Sequence, residues 1–263
     1  FDGNPEYTIN SCATSRCFFG QFNFESEIMQ DQNIRKAIEM GIDKEGFCSV
    51  IMEGRGLPAK AAFPDSFSYG NEAVETVSYD PEGAKKLLEE SGWKDTDGDG
   101  YADKDGQKLT IDWLTYPTRL EQPKLAEYAQ ATLKEIGIDV VVNNTSDHMT
   151  YAADGNFDVY VSSTTTAPTG DPEYFFTSTV VGPKNYGKYE NKEVTALTEK
   201  LHQAFEPEER AKLATELQQK ILDDDGFFFV SHLNMGIVTK SNVKGMAAHP
   251  CDYYEITADL DVE

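Results

Sequence analysis

The chain has 263 residues, enough to bury a sizeable core as one large domain or two modest ones, and its 39% apolar and 26% charged residues are ordinary for a globular protein. With 23 Lys and Arg against 46 Asp and Glu the formal charge is −23, which repels phosphate backbones and anionic membranes and excludes nucleic acid as a partner. No window is long and apolar enough to span a bilayer, and four cysteines without a C-x-x-C pair exclude a disulfide scaffold and give no zinc or dithiol signature.

The chain begins with Phe1 rather than Met and carries no charged-then-apolar leader, so a processed protein or an internal stretch is expected. Cys12 and Cys17, five apart, fall on opposite faces of an extended strand and are not expected to pair.

Asp31 predicts a helix N-cap, with Ile34, Ala37 and Ile38 on one face and a stop near Gly41. Asp43 starts a second helix with Phe47, Val50 and Ile51 inward, closing at Gly54. Residues 54–71 hold Gly, Pro and Ser without a period and read as an ordered surface excursion. Asp80-Pro81 caps and opens a helix that buries Ala84, Leu87 and Leu88 and stops at Gly92. Leu109, Ile111 and Trp113 alternate with Thr110, Asp112 and Leu114 as a strand. A helix from Pro123 to Gly137 and the strand IDVVVN complete a right-handed βαβ unit with parallel strands. A short helix near Met149 to Ala153 precedes a third strand, FDVYVSS. Helices over 191–205 and 207–224 follow, the second with Leu213, Leu217 and Ile221 as its stripe. FFFVSHL and MGIVTK then read as two strands. The fold class is α/β.

No G-x-S-x-G, H-E-x-x-H, P-loop or G-x-G-x-x-G opens an enzymatic reading. The four histidines are scattered and read as surface or packing residues, and a hydrolase built on acidic pairs would rest on no specific spacing. No catalytic residue is expected. One stretch does carry metal chemistry: in DTDGDGYADKDG, Asp95, Asp97, Asp99 and Asp103 stand at positions 1, 3, 5 and 9 of a calcium loop, with Gly100 at 6. Position 12, where a bidentate Glu belongs, is Gly106, and a strand follows instead of a second helix. The preferred reading is a helix-to-strand turn made by Asp-Gly steps and needing no cofactor. Its rival is a calcium-stabilised cell-surface module built around Asp95 to Asp103.

Five ordered segments resemble a known family. DQNIRKAIEMGIDKEGF, YDPEGAKKLLEESGWKDTDGDGYADKDGQKL, LAEYAQATLKEIGIDVVV, DGNFDVYV with APTGDPEYFF, and PEERAKLATELQQKILDDD look like the family 5 extracytoplasmic solute-binding proteins of peptide- and nickel-type ABC transporters. The resemblance implies a periplasmic-binding-protein-like (type II) architecture: two lobes joined by hinge strands and closing on a solute without catalysis. It further implies that this chain is the C-terminal lobe. Residues 1–20 would be an entry hinge strand, 21–229 the solute-binding lobe, and 230–263 the return hinge strands with a remnant of the N-terminal lobe. The implied partners are a small peptide or metal-chelate solute and a membrane permease. The expected location is extracytoplasmic, and the expected state a monomer.

Ligand crevices in open α/β sheets lie beyond the carboxyl ends of strands, here Thr115 to Arg119 and Ser162 to Asp171. Candidate ligand contacts are therefore Tyr116, Arg119, Thr164, Thr165, Thr166, Thr169 and Asp171, with Tyr151 resembling an aromatic pocket residue of the nickel branch. The sequence departs from both branches. Thr165 stands where the nickel branch has a tryptophan, Thr169 or Gly170 replaces its tyrosine, and no histidine lies near Lys184. Pro168 takes the place of the aspartate with which the dipeptide branch holds its ligand's ammonium. Asp171 also reads as a cap for the helix DPEYFF, and Tyr151 as a packed amphipathic side chain.

Overall fold

The computed structural model describes residues 1–251 and 256–263. The chain opens with a long strand, β1 (Tyr7–Phe22). Then α1 (Gln32–Gly41) starts where the Asp31 carboxylate accepts the Asn33 amide N–H at 2.9 Å. One turn, α2 (Lys44–Gly46), is capped by Asp43 and widens into a π-turn at Phe47–Ile51 before β2 (Gly56–Pro58). Next come α3 (Pro81–Glu90), capped by Asp80, and a small hairpin of β3 (Asp103–Lys104) and β4 (Gln107–Lys108). β5 (Thr110–Thr115), α4 (Glu121–Glu135) and β6 (Asp139–Asn144) form the βαβ unit, and α5 (His148–Ala153) leads to β7 (Val159–Thr165). After α6 (Glu173–Phe175) and its π-turn come α7 (Lys192–Gln203) and α8 (Pro207–Asp223). The strands β8 (Phe227–Lys240), β9 (Val243–Lys244) and β10 (Asp261–Val262) follow.

Six strands form one mixed sheet in the order β2-β8-β1-β7-β5-β6. β5 runs parallel to β6 and β7, as the βαβ pattern predicts, whereas β1 is antiparallel to β7 and β8. One face buries Phe18, Phe22, Ile111, Trp113, Val161 and Phe228 under α1, α3 and α4. The other buries Phe19, Phe175, Phe227 and Phe229 against α7 and α8, and a smaller cluster of Leu114, Tyr116, Phe157 and Tyr160 beside α5. Gly20 lets the sheet's centre close: a Cβ there would stand 2.0 Å from the Phe228 ring. At the β6 edge, the Gln130 side chain of α4 donates to the Val140 carbonyl at 2.6 Å.

Buried polar groups lock helix ends to the sheet. Arg35 is buried, lies 4.5 Å over the Phe24 ring and donates to the carbonyls of Met29, Asp224 and Asp225. Asp225, at φ 46°, is buried and accepts from Gln32. His232 of β8 is fully buried, with Nε2 3.4 Å from the Asn71 side-chain oxygen.

Four expectations are corrected. Residues 54–71 are only in part a surface excursion: Gly54, Arg55, Leu57, Pro58, Asp65 and Ser66 are exposed, but Ala59, Ala61, Ala62 and Phe63 are buried in the second core, in a stretch with no periodic signature. Val50 is 69% exposed, because the π-turn changes the angle per residue and rotates it off the inner face. Leu114 is buried on the sheet's second face, so β5 is apolar on both sides beyond Asp112. FFFVSHL and MGIVTK are one strand, β8, paired with β1 from Gln21 to Tyr7. The outer part of this pair, Tyr7 to Ala13 with Asn234 to Lys240, runs past β7 as a two-stranded ribbon on which Ile9 and Val238 are exposed. Of the expected final segment, 230–263, positions 252–255 lie outside the described residues.

Candidate functional site

Alternation along β7 sends Val159 and Val161 into the first core and Tyr160, Ser162 and Thr164 to the opposite face. On β1, Gln21 lies opposite Tyr160, and Phe19 opposite Ser162, so their side chains share that face. Tyr116 follows β5, and α5 contributes His148. Together these residues line a groove of about 230 Å³, closed on its far side by Lys184 and Tyr186.

The frame of the groove is hydrogen-bonded. Gln21 donates from Nε2 to the Lys184 carbonyl (3.1 Å) and accepts the Tyr186 (2.9 Å) and Gly187 (3.2 Å) amide N–H groups, pinning this wall to the sheet. His148 stacks on Tyr116, with ring centroids 4.2 Å apart and planes at 24°, and its Nδ1 lies 2.8 Å from the Tyr160 hydroxyl. Burial depresses the His148 pKa below its usual value against the opposing pull of Asp147, so the ring is neutral at physiological pH. Burial also raises the Tyr160 phenol, which keeps its proton. The Tyr116 hydroxyl accepts the Ser163 N–H at 3.3 Å. Among the described residues no carboxylate lines the groove. The arrangement offers rings, hydroxyls and amides to a bound molecule.

The structure brings only part of the expected set together. Tyr116 and Thr164 line the groove, and Arg119 is partly exposed in the turn after β5. Thr165 is buried and, by alternation, shares the Val161 face. Thr166 is a framework residue, its hydroxyl 2.8 Å from the Ser15 carbonyl and 2.7 Å from that of Ala62. Thr169 is exposed in the following turn. Asp171 accepts the Glu173 N–H, as its capping reading predicts, and is held by Arg210 (Nε to Oδ2 2.8 Å, Nη2 to Oδ1 2.7 Å). Tyr151 lies in a separate groove of about 740 Å³ with Glu25, Asp112, Asp154 and Asp158.

In the aspartate loop, oxygens of Asp95, Asp97 and Asp99 lie within 4.8 Å of one another on the surface. Asp95 accepts the N–H groups of Gly98 and Gly100, and Asp99 pairs with Lys108 at 3.0 Å. Asp103, the fourth expected ligand, is not in that group: its two oxygens accept the hydroxyl and amide N–H of Thr96. The loop joins α3 to the β3–β4 hairpin, so no second helix flanks it.

Sequence reasoning missed Gln21, His148, Tyr160, Lys184 and Tyr186. The polar side of β7, aimed away from the Val159 and Val161 face, is the signal that could have found Tyr160. The stack of His148 on Tyr116 joins residues 32 positions apart and has no local trace.

The model of the bacterial extracellular solute-binding proteins, family 5 Middle, matches residues 1–187, and the chain belongs to that family. Among its relatives are the oligopeptide-binding protein AppA of Bacillus subtilis (28% identical over 256 residues, 94% of this chain and 47% of the relative) and the nickel-binding protein NikA of Staphylococcus aureus (26% over 235 residues, 88% and 46%). The chain thus spans about half the length of the curated relatives it matches. Two solved structures share its fold. One is a nickel ABC transporter protein from Bacillus halodurans (TM-score 0.84, 25% identity, 99% of this chain and 55% of that one). The other is AppA of Bacillus subtilis in complex with a nonapeptide (TM-score 0.80, 25% identity, 94% and 50%). The α/β, periplasmic-binding-protein-like fold follows from these matches. Among the described residues no helix is long and apolar enough to cross a membrane.

Proposed function

We propose that this chain supplies one jaw of the substrate-binding component of an ABC importer, which captures a small peptide or metal chelate outside the cytoplasm and delivers it to a membrane permease. The observation that carries the reading is the Gln21-braced groove at the carboxyl ends of β5 and β7. It is walled by Tyr116, His148, Tyr160 and Tyr186 and floored by hydroxyls. The names of the relatives, oligopeptide-binding and nickel-binding, supply the solute classes. The role is non-catalytic. Residues 21–229 form the solute-binding lobe in this reading. The ribbon of 7–13 with 234–240 is the hinge connection toward a second lobe that closes the groove in a monomeric receptor.

A thermal-shift screen of the full-length protein against peptide and nickel-chelate libraries tests this, since a ligand bound only by the folded state raises the melting temperature. A hit whose shift disappears in Ser162→Trp, which fills the groove, is expected. Hits that are indifferent to that substitution would move the site elsewhere.

A further inference from the structure

The charge around the groove has a direction that the family assignment does not specify. The chain carries 46 acidic residues, yet among the described residues none lines the groove. The two carboxylates just past β7 are both committed. Asp171 is held by Arg210 through both oxygens, and Glu173 takes a third Arg210 bond at 2.8 Å and a contact with His202 at 2.6 Å. Among the described residues of the groove lining, a solute ammonium finds no anionic partner.

A cation, by contrast, stands at the rim. Lys184 is exposed, forms no ion pair among the described residues, and rests its ammonium 3.3 Å from the Tyr174 hydroxyl. Gln21 fixes the Lys184 carbonyl, so the backbone position of this residue at the groove is set while its long side chain is exposed. Ser162, Thr164 and Tyr186 add hydroxyl donors. In a molecule of net charge −23, a local positive point against neutral, ring-lined walls discriminates strongly between the two ends of a zwitterion.

We propose that the groove takes the anionic end of its solute at Lys184, with a flat or apolar group among the tyrosines, and does not recognise a free ammonium. The inference rests on the groove being the solute site. Its ligand class is a small carboxylate carrying a ring or other apolar group.

Two probes with the same ring separate the charges: N-acetyl-L-phenylalanine, which has a carboxylate and no ammonium, and L-phenylalanine amide, which has the reverse. Calorimetric titration of the full-length protein is expected to show binding of the first and none of the second. Lys184→Met should weaken the first by about tenfold and Lys184→Glu by more, with the ligand-free melting temperature unchanged. Failure of the carboxylate probe to bind, preference for the amide, or affinity unchanged in Lys184→Met overturns the proposal. If Ser162→Trp abolishes binding of the amide while Lys184→Met does not affect it, the groove reading survives and only the charge preference falls. If Ser162→Trp leaves binding of either probe intact, the groove reading falls as well.

Discussion

Arg210 grips Asp171 by both carboxylate oxygens and, with the same guanidinium, reaches Glu173 and the carbonyls of Leu201 and Ala204 at the end of α7. One side chain on α8 thereby fixes the segment that leaves β7 and the C-terminus of the neighbouring helix. Its planar fork suits two carboxylates at once, which a lysine cannot match. Arg210→Ala should lower stability by about 2–3 kcal/mol, a figure kept modest because Asp171 remains 40% exposed to screening solvent. Arg210→Lys should recover less than half. Urea denaturation midpoints measure both, and a loss below a few tenths of a kcal/mol would mean that the cluster is ornamental.

Gly20 faces the Phe228 ring with no room for a methyl group. Gly20→Ala should cost about 1–3 kcal/mol through overpacking. Phe228→Leu, destabilising alone, should be less damaging in the Gly20→Ala background. A double-mutant cycle on thermal unfolding reads the coupling, and strict additivity would contradict the geometry.

Two buried groups tilt the pH profile in opposite senses. Burial, outweighing the Gln32 hydrogen bond, raises Asp225 to about 6. The native state then keeps a proton that the unfolded chain releases near pH about 4, and stability falls as pH rises through that window. Burial lowers His232 to about 3, so the unfolded chain alone takes up a proton below pH about 6.5, and stability falls as pH drops. Asp225→Asn keeps an acceptor for Gln32 and tolerates the positive φ. It should gain about 1–2 kcal/mol at pH 7 and make stability drop more steeply with acid than in the wild type. His232→Asn should do the reverse below pH 6. Denaturation curves across pH 4 to 8 check the signs.

Thr164 and Thr166 are two residues apart and should respond differently. Thr166→Val removes the hydroxyl bonds to both carbonyls; Ser15 keeps the Thr166 amide N–H but the Ala62 carbonyl loses its hydroxyl partner, which should cost about 1–2 kcal/mol with unchanged solute affinity. Thr164→Val should leave the melting temperature in place and weaken binding by about threefold or more. Calorimetry beside thermal melts separates the two roles.

The parts legible in the sequence are those with local causes. Asp31, Asp43 and Asp80 cap the helices they were expected to cap, Gly92 and Gly137 take positive φ at helix ends, and 109–144 forms the expected parallel βαβ unit. Nonlocal packing was not legible. β1 is rich in Thr, Ser, Asn and Cys in its outer half, yet it lies at the sheet's centre because β7 and β8 pair with it. Ala59 to Phe63 owe their burial to distant helices. In the groove, the strand-end rule located Tyr116 and Thr164, but the wall at Lys184 and Tyr186 arrives from a loop with no period. Thr166 could not be told from a ligand contact until its two carbonyl partners were placed.

The side-chain bond from Gln130 to Val140 has a consequence for handling the protein. β6 ends the sheet, and because the Asp139 N–H points inward to Leu109, the Val140 carbonyl points outward, where another chain's amide could dock. Gln130 occupies that acceptor, while Asp139 and the −23 charge discourage approach. Gln130→Ala should leave the chain folded but open a sticky strip along VVV. Concentration-dependent oligomers, promoted by salt as repulsion is screened, should then appear in light scattering.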